Sequence, residues 1–131
     1  MQMNERGLPV PKFMKRILTV IVVGSILVPQ ASLAARGWVR DAQVTRLMLT
    51  HDKFGNCMAL LSKKNDSLSC SPWVVFDCAG DLEGNTKSAG NAKFNSAQLA
   101  LVTGNKVQAF VNDNMKINGQ CFAERVDVYG R

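Results

Sequence analysis

The sequence predicts a small, mainly β domain: a five-stranded barrel with one helix between strands three and four, stapled by disulfides. Three observations carry that expectation. Short apolar stretches of strand length recur between turn residues, one later stretch has helical spacing, and four cysteines fall within a short exported chain.

Export is read from the opening. Lys15-Arg16 precedes an apolar run over residues 17–28, followed by Ser32-Leu33-Ala34. A positive stub, about a dozen apolar residues and small residues at the minus-three and minus-one positions form a secretory signal, with cleavage expected after Ala34. A membrane anchor fits less well, because a spanning helix needs roughly 20 apolar residues. The polar stretch 1–13 has no role in such a signal, which makes Met14 a candidate start. The signal is thus assigned to residues 1–34 and a single domain to residues 35–131, periplasmic or secreted, with the membrane engaged only during export.

That domain is long enough for one thin core and too short for two. Cys57, Cys70, Cys78 and Cys121 are therefore expected to form two disulfides. Zinc is the rival, but no two cysteines have the close spacing of a zinc knuckle and the lone histidine, His51, sits apart from them. No cofactor or metal is expected. Residues 35–131 carry twelve Lys/Arg against nine Asp/Glu, a formal +3, whereas the whole chain carries +6. These charges are scattered and the only adjacent pair is Lys63-Lys64, so the footprint of a nucleic-acid binder is missing.

The elements follow in order. Residues 44–50 alternate, with Val44, Leu47 and Leu49 apolar, and read as the first strand. Phe54-Gly55-Asn56 is a turn, residues 57–61 the second strand, and residues 62–71 a polar loop. Pro72 opens a third strand, Trp73 to Cys78, rich in β-branched and aromatic residues. Residues 80–90, holding Gly84-Asn85, read as a loop. A helix is expected over residues 92–102, capped by Asn91 and ended by Gly104, with Phe94, Ala97, Gln98 and Leu101 on one face. Residues 106–111 form the fourth strand, the Asn-rich residues 112–119 a loop, and residues 121–129 the fifth strand.

Three strands, a helix and two strands is the order of a Greek-key OB barrel. A helix-capped antiparallel sheet of different topology is the alternative. In the barrel, antiparallel pairing of the second and third strands sets Cys57 opposite Cys78, and parallel pairing of the third and fifth sets Cys70 beside Cys121. Joining Cys57 to Cys70 across the hairpin, with Cys78 to Cys121, is also reachable.

Catalytic chemistry is not written in these residues. His51 lies next to Asp52 at the exposed end of the first strand, where a surface role is expected. Asp77, Asp81 and Glu83 cluster after the third strand, but lack the alternating ligand spacing of a calcium loop. No enzyme is expected. Binding is better supported, since Asn112-Asp113-Asn114 and Asn118-Gly119-Gln120 offer groups suited to sugar hydroxyls. Trp73 has a face for stacking, although a tryptophan inside an apolar strand usually packs in a core.

Asp41-x-x-x-Thr45 before an apolar strand, the Cys57 to Cys70 spacing, the helix, and Thr103-Gly104 leading into Val107 occur in a common order. In this the chain resembles the B subunits of secreted bacterial toxins, in particular the subtilase-cytotoxin and pertussis-like branch. The resemblance implies an exported, non-enzymatic OB-fold module that binds cell-surface glycan as a homopentamer carrying a catalytic A subunit. It implies that Asp41 and Thr45 bind the carboxylate end of sialic acid, and it favours a Cys57–Cys70 hairpin cystine. The family's tyrosine late in the fourth strand is met here by Val111. The alternative reading is a monomeric periplasmic accessory or inhibitor protein that binds another protein through an exposed strand edge or loop.

Overall fold

The computed structural model describes residues 35–130, which fall within one compact unit. The expected signal, its cleavage site and the candidate start at Met14 lie outside the described residues. Six strands and one helix follow in order: β1 (Arg36–Ala42), β2 (Val44–Leu49), β3 (Cys57–Leu61), β4 (Trp73–Val75), α1 (Lys87–Thr103), β5 (Lys106–Ile117) and β6 (Gln120–Tyr129). They form one mixed sheet in the order β1-β5-β6-β4-β3-β2, in which only β4 and β6 run parallel.

Where a five-stranded barrel with its helix between the third and fourth strands was expected, the structure shows an open sheet of six strands, with the helix after the fourth strand of the chain. The added strand is β1. Residues 36–42 place only Val39 and Ala42 in the core and spend their other positions on arginines, Gly37, Trp38 and Asp41, so their apolar signal is faint. Backbone pairing with β5 makes them a strand all the same.

Helix α1 begins five residues before the expected start. Thr86 is its cap, its Oγ1 accepting the Ala89 N–H at 3.1 Å, and Asn91 lies inside the first turns. Gly104, with φ +68, ends the helix as its type suggests. The buried face is Gly90, Phe94, Ala97 and Ala100, whereas Gln98 and Leu101 face outward. Small side chains at 97 and 100 let the helix lie close to the sheet, and Phe94 meets Phe76 edge-on at 6.3 Å.

This core holds six alanines, at 42, 59, 97, 100, 109 and 123. Each large buried apolar side chain stabilises by roughly 2 kcal/mol and an alanine by much less, so the domain depends on its staples. A second cluster, Met58, Val75 and Phe122, forms on the opposite side chains of the same strands, with half-buried Trp73, Met115 and Ile117 against it. Trp73 therefore packs rather than standing free.

The disulfides are Cys57–Cys78 and Cys70–Cys121, each with a Cα–Cα distance of 5.7 Å. The Cys57–Cys70 pairing implied by the resemblance is overturned by the register. Leu60 faces Trp73 in the antiparallel β3–β4 pair, so Cys70 lies beyond the end of β3 that is far from Cys57. Parallel β4 and β6 align Val74 with Cys121, near enough to Cys70 for the second bridge.

The expected loop at 112–119 is mostly strand. Its asparagines sit in a bulge of the β5–β6 pair between Asn112 and Lys116, and only Asn118-Gly119, with φ +49 and +81, makes the turn. Asp113 ties the bulge to the start of β1, its N–H donating to the Ala35 carbonyl at 3.0 Å and its Oδ1 accepting the Ala35 N–H at 3.1 Å.

Candidate functional site

The β1–β5 register slips between Val39 and Ala42, and the residues released by that slip are Arg40 and Asp41. Asp41 takes up φ +51, a left-handed backbone that aspartate tolerates better than most residues. Tyr129, the last residue of β6, clamps it. The Asp41 N–H donates to Tyr129 Oη at 2.9 Å, and the same hydroxyl donates to Asp41 Oδ1 at 2.8 Å. Lys106 Nζ stands 3.9 Å from that carboxylate oxygen. Burial, and then the bond to Asp41, push the Tyr129 phenol above its ordinary value, which keeps the hydroxyl protonated and donating.

Arg40, Asp41, Gln108, Asp127 and Tyr129 line a recess of about 370 Å³. Its groups hold one another in place. Gln108 Nε2 donates to Asp127 Oδ2 at 2.9 Å and Arg125 Nε donates to Asp127 Oδ1 at 2.7 Å. The Arg125 bond, followed by the Gln108 bond, keeps Asp127 below the ordinary aspartate value. Strand alternation carries Trp38 to the same sheet face as Arg40, where it lies opposite Phe110 with ring centroids 5.1 Å apart. The guanidinium carbons of Arg40 and Arg125 are each 5.7 Å from the Trp38 ring centroid.

Thr45 does not line this recess. Its hydroxyl donates to the Leu60 carbonyl at 3.2 Å, within the β2–β3 pair, so Asp41 and Thr45 are not brought into one pocket. Val111, at the position of the family's tyrosine, is fully buried. The phenol beside Asp41 comes instead from Tyr129, which sequence reasoning passed over together with Trp38, Arg40, Gln108 and Asp127. The available signal was the alternation Arg36-x-Trp38-x-Arg40, which marks one exposed face of a strand.

The other expected groups are placed as follows. His51 Nδ1 is 2.6 Å from Asp52 Oδ2, with both side chains largely in solvent. Asp77 is fully buried, and its carboxylate accepts the Asp81 and Leu82 N–H groups at 2.9 Å and Asn85 Nδ2 at 3.0 Å. Burial alone would raise its pKa, but these bonds, with the nearby Gly80 N–H, lower it overall. Both carboxylate oxygens are thus engaged with N–H donors, and no metal-holding group of three His, Cys, Asp or Glu occurs among the described residues.

Lys93 was not singled out by the sequence. Its Nζ lies 4.0 Å from the Phe122 ring centroid and donates to the Ala123 carbonyl at 3.0 Å and to Asn85 Oδ1 at 3.2 Å. Burial lowers its pKa to about 8, against the opposing pull of Asp77 and Glu124. It borders a groove of about 550 Å³ with Met115 and Phe122 among its walls.

No protein-family model, no curated protein and no solved structure matches this chain.

Proposed function

We propose that this protein is an exported, non-enzymatic module that binds cell-surface glycan through the Asp41 recess. The observation that carries the reading is the Asp41–Tyr129 clamp. It presents a carboxylate acceptor and a phenol beside the amide of Gln108 and the cation of Arg40, with the carboxylate, phenol and amide held by hydrogen bonds before a ligand arrives. Sugar hydroxyls donate and accept at once, so they suit a wall of mixed, preset partners. The Trp38 ring on the same face supplies the apolar surface that a pyranose needs.

The scaffold in this reading is an OB-type barrel whose first strand is broken at Gln43. Support comes from the two edges of the sheet, β1 and β2, which Gln43 alone separates in the chain. Gln43 N–H donates to Ser62 Oγ at 2.8 Å and its carbonyl accepts the Ser62 N–H at 2.9 Å, which fixes the corner. Counting β1 and β2 as one bent strand restores five strands in Greek-key order. Two disulfides favour an oxidising compartment, periplasmic or extracellular. Among the described residues no helix is long and apolar enough to cross a membrane. The toxin B-subunit likeness adds a homopentamer with a catalytic partner, in which weak single contacts gain by multivalency.

The test is a glycan array probed with the oxidised protein, then repeated with Asp41→Ala and Tyr129→Phe. Each change removes a preset hydrogen-bonding group and is expected to weaken binding about tenfold. Unchanged binding in both variants would remove the site assignment. Leu49, Leu99 and Val102 are exposed at 71%, 57% and 86%, and favour the second reading, an accessory or inhibitor protein with a protein partner. Light scattering separates the two: a pentamer supports the glycan module and a monomer the accessory protein.

A further inference from the structure

The Asp41 recess leaves unexplained a second recess of about 510 Å³ on a different set of loops. One wall is the turn between β2 and β3, another is the Asn118 turn between β5 and β6, and a third is made by Cys78, Ala79 and Asp81 with Lys87 at the start of α1. Its backbone is unusual. Asp52, Phe54, Asn56 and Asn118 all line it and all hold positive φ, at +59, +50, +70 and +49. A bulky residue such as Phe54 seldom occupies that region, and residues held there gather at ligand sites in proteins generally.

These loops are also pinned to one another. Gly55 sits where a Cβ would approach the Asp77 Cα to 2.8 Å, the Ala79 N–H donates to the Gly55 carbonyl at 3.1 Å, and Cys57–Cys78 bridges the same two segments. The recess is therefore formed in advance, so little ordering cost remains for a ligand to meet.

Its lining chemistry selects a ligand class. Asp52 and Asp81 are matched by Lys53 and Lys87, so the recess has no net formal charge, unlike the face bearing Arg36, Arg40 and Arg125. Asn118 adds an amide, and half-buried Phe54 and Ile117 add an apolar strip. Planar carboxylate and amide groups beside an apolar strip match the alternating polar edges and C–H faces of a neutral sugar. A charged ligand would meet as much repulsion as attraction.

We propose that this loop recess is a second ligand site, for a neutral saccharide, in which Asp81 and Asn118 bond ring hydroxyls and Phe54 packs against the ring. Loops at these places carry ligands in OB folds, so the inference rests on the barrel reading for its location and on the lining for its chemistry.

The experiment is a magnetic-resonance titration of the isotope-labelled, oxidised protein with methyl β-galactoside and methyl α-mannoside, with methyl β-glucuronide as the charged control. The expected result is movement of the amides of residues 52–56 and 117–118 with a neutral glycoside. Asp81→Asn and Asn118→Gly should each weaken that response roughly tenfold, and Asp41→Ala should leave it unchanged. Both variants keep the fold: the Asp81 contact to Asp77 is made by its backbone, and glycine accepts the left-handed turn at 118. No response to either neutral glycoside, a response that survives both substitutions, or a stronger response to the glucuronide would overturn the proposal. Amide shifts confined to Arg40, Asp41 and Tyr129 would overturn it while sustaining the Asp41 recess; the expected shifts at the loops leave the Asp41 recess to the glycan array.

Discussion

Asp77 has no exposed surface and a left-handed backbone, φ +57, yet carries a carboxylate. It is stable there because three N–H groups of the following loop and Asn85 point at it, and because Asn85 Oδ1 passes the contact on to the Lys93 ammonium. Both ends of this hydrogen-bonded relay have lowered pKa values, so each adds stability as pH rises through its own window. Asp77 has a lowered folded pKa, so its contribution is present above the ordinary aspartate value and is lost as pH falls through the folded one. Lys93 is lowered to about 8 from an ordinary 10.5, so between those values the unfolded chain binds more protons than the folded one. Lys93 therefore adds stability as pH rises across that window, opposed toward its upper end by Tyr129, whose raised pKa acts the other way. Urea unfolding at pH 8, 9 and 10 should show that rise, and Lys93→Met should abolish it. A rise that persists in the variant would assign it to another group.

At the scale of elements, the start of α1 is set by contact rather than by helix preference. Gly90 lies in the second turn, and a Cβ there would come within 2.3 Å of the Asp77 carbonyl oxygen and 2.8 Å of the Cys78 nitrogen. Both obstacles are backbone and cannot rotate away. Alanine is the better helix former by about 1 kcal/mol, so propensity alone predicts that Gly90→Ala stabilises. The collision predicts the opposite, a loss of roughly 3 kcal/mol, read as a lower urea midpoint. The same glycine explains why the helix start was illegible in the sequence. Gly80, Gly84 and Gly90 spaced over eleven residues read as loop punctuation, and nothing local reveals that the third serves close packing. By contrast, the second predicted strand matches β3 residue for residue, because an unbroken apolar run beside a turn has few other outcomes. The asparagines of residues 112–114 were misread for a further reason. Their side chains and N–H groups satisfy a bulge, which is tertiary information.

For the whole molecule, the weakest joint is the one between β4 and β6. It is the sheet's only parallel pairing and aligns just two residue pairs, Val74 with Cys121 and Val75 with Phe122. On one side lie β2, β3 and β4, and on the other β1, β5 and β6. Cys70–Cys121 spans that joint, whereas Cys57–Cys78 ties β3 to the segment just after β4, within one half. This arrangement was half visible beforehand: pairing the third and fifth predicted strands in parallel placed Cys70 beside Cys121. The Asp41 recess was not visible, since Tyr129 reaches Asp41 across 88 positions and only the folded sheet brings them together. The two staples should therefore differ in kind. Their sequence separations of 51 and 21 correspond to about 4 and about 3 kcal/mol of chain entropy, a modest difference. Position adds to it. Replacing Cys70 and Cys121 together by alanine should lower stability more than replacing Cys57 and Cys78. It should also let the β4–β6 amides exchange ahead of those in the β5–β6 pair, because the halves then part before either melts. The Cys57→Ala, Cys78→Ala protein should instead unfold as one unit, with the added exchange confined to the loops that the bridge pins. Equal exchange at β4–β6 in the two double variants would show that side-chain packing from α1, and not the disulfide, holds the halves together.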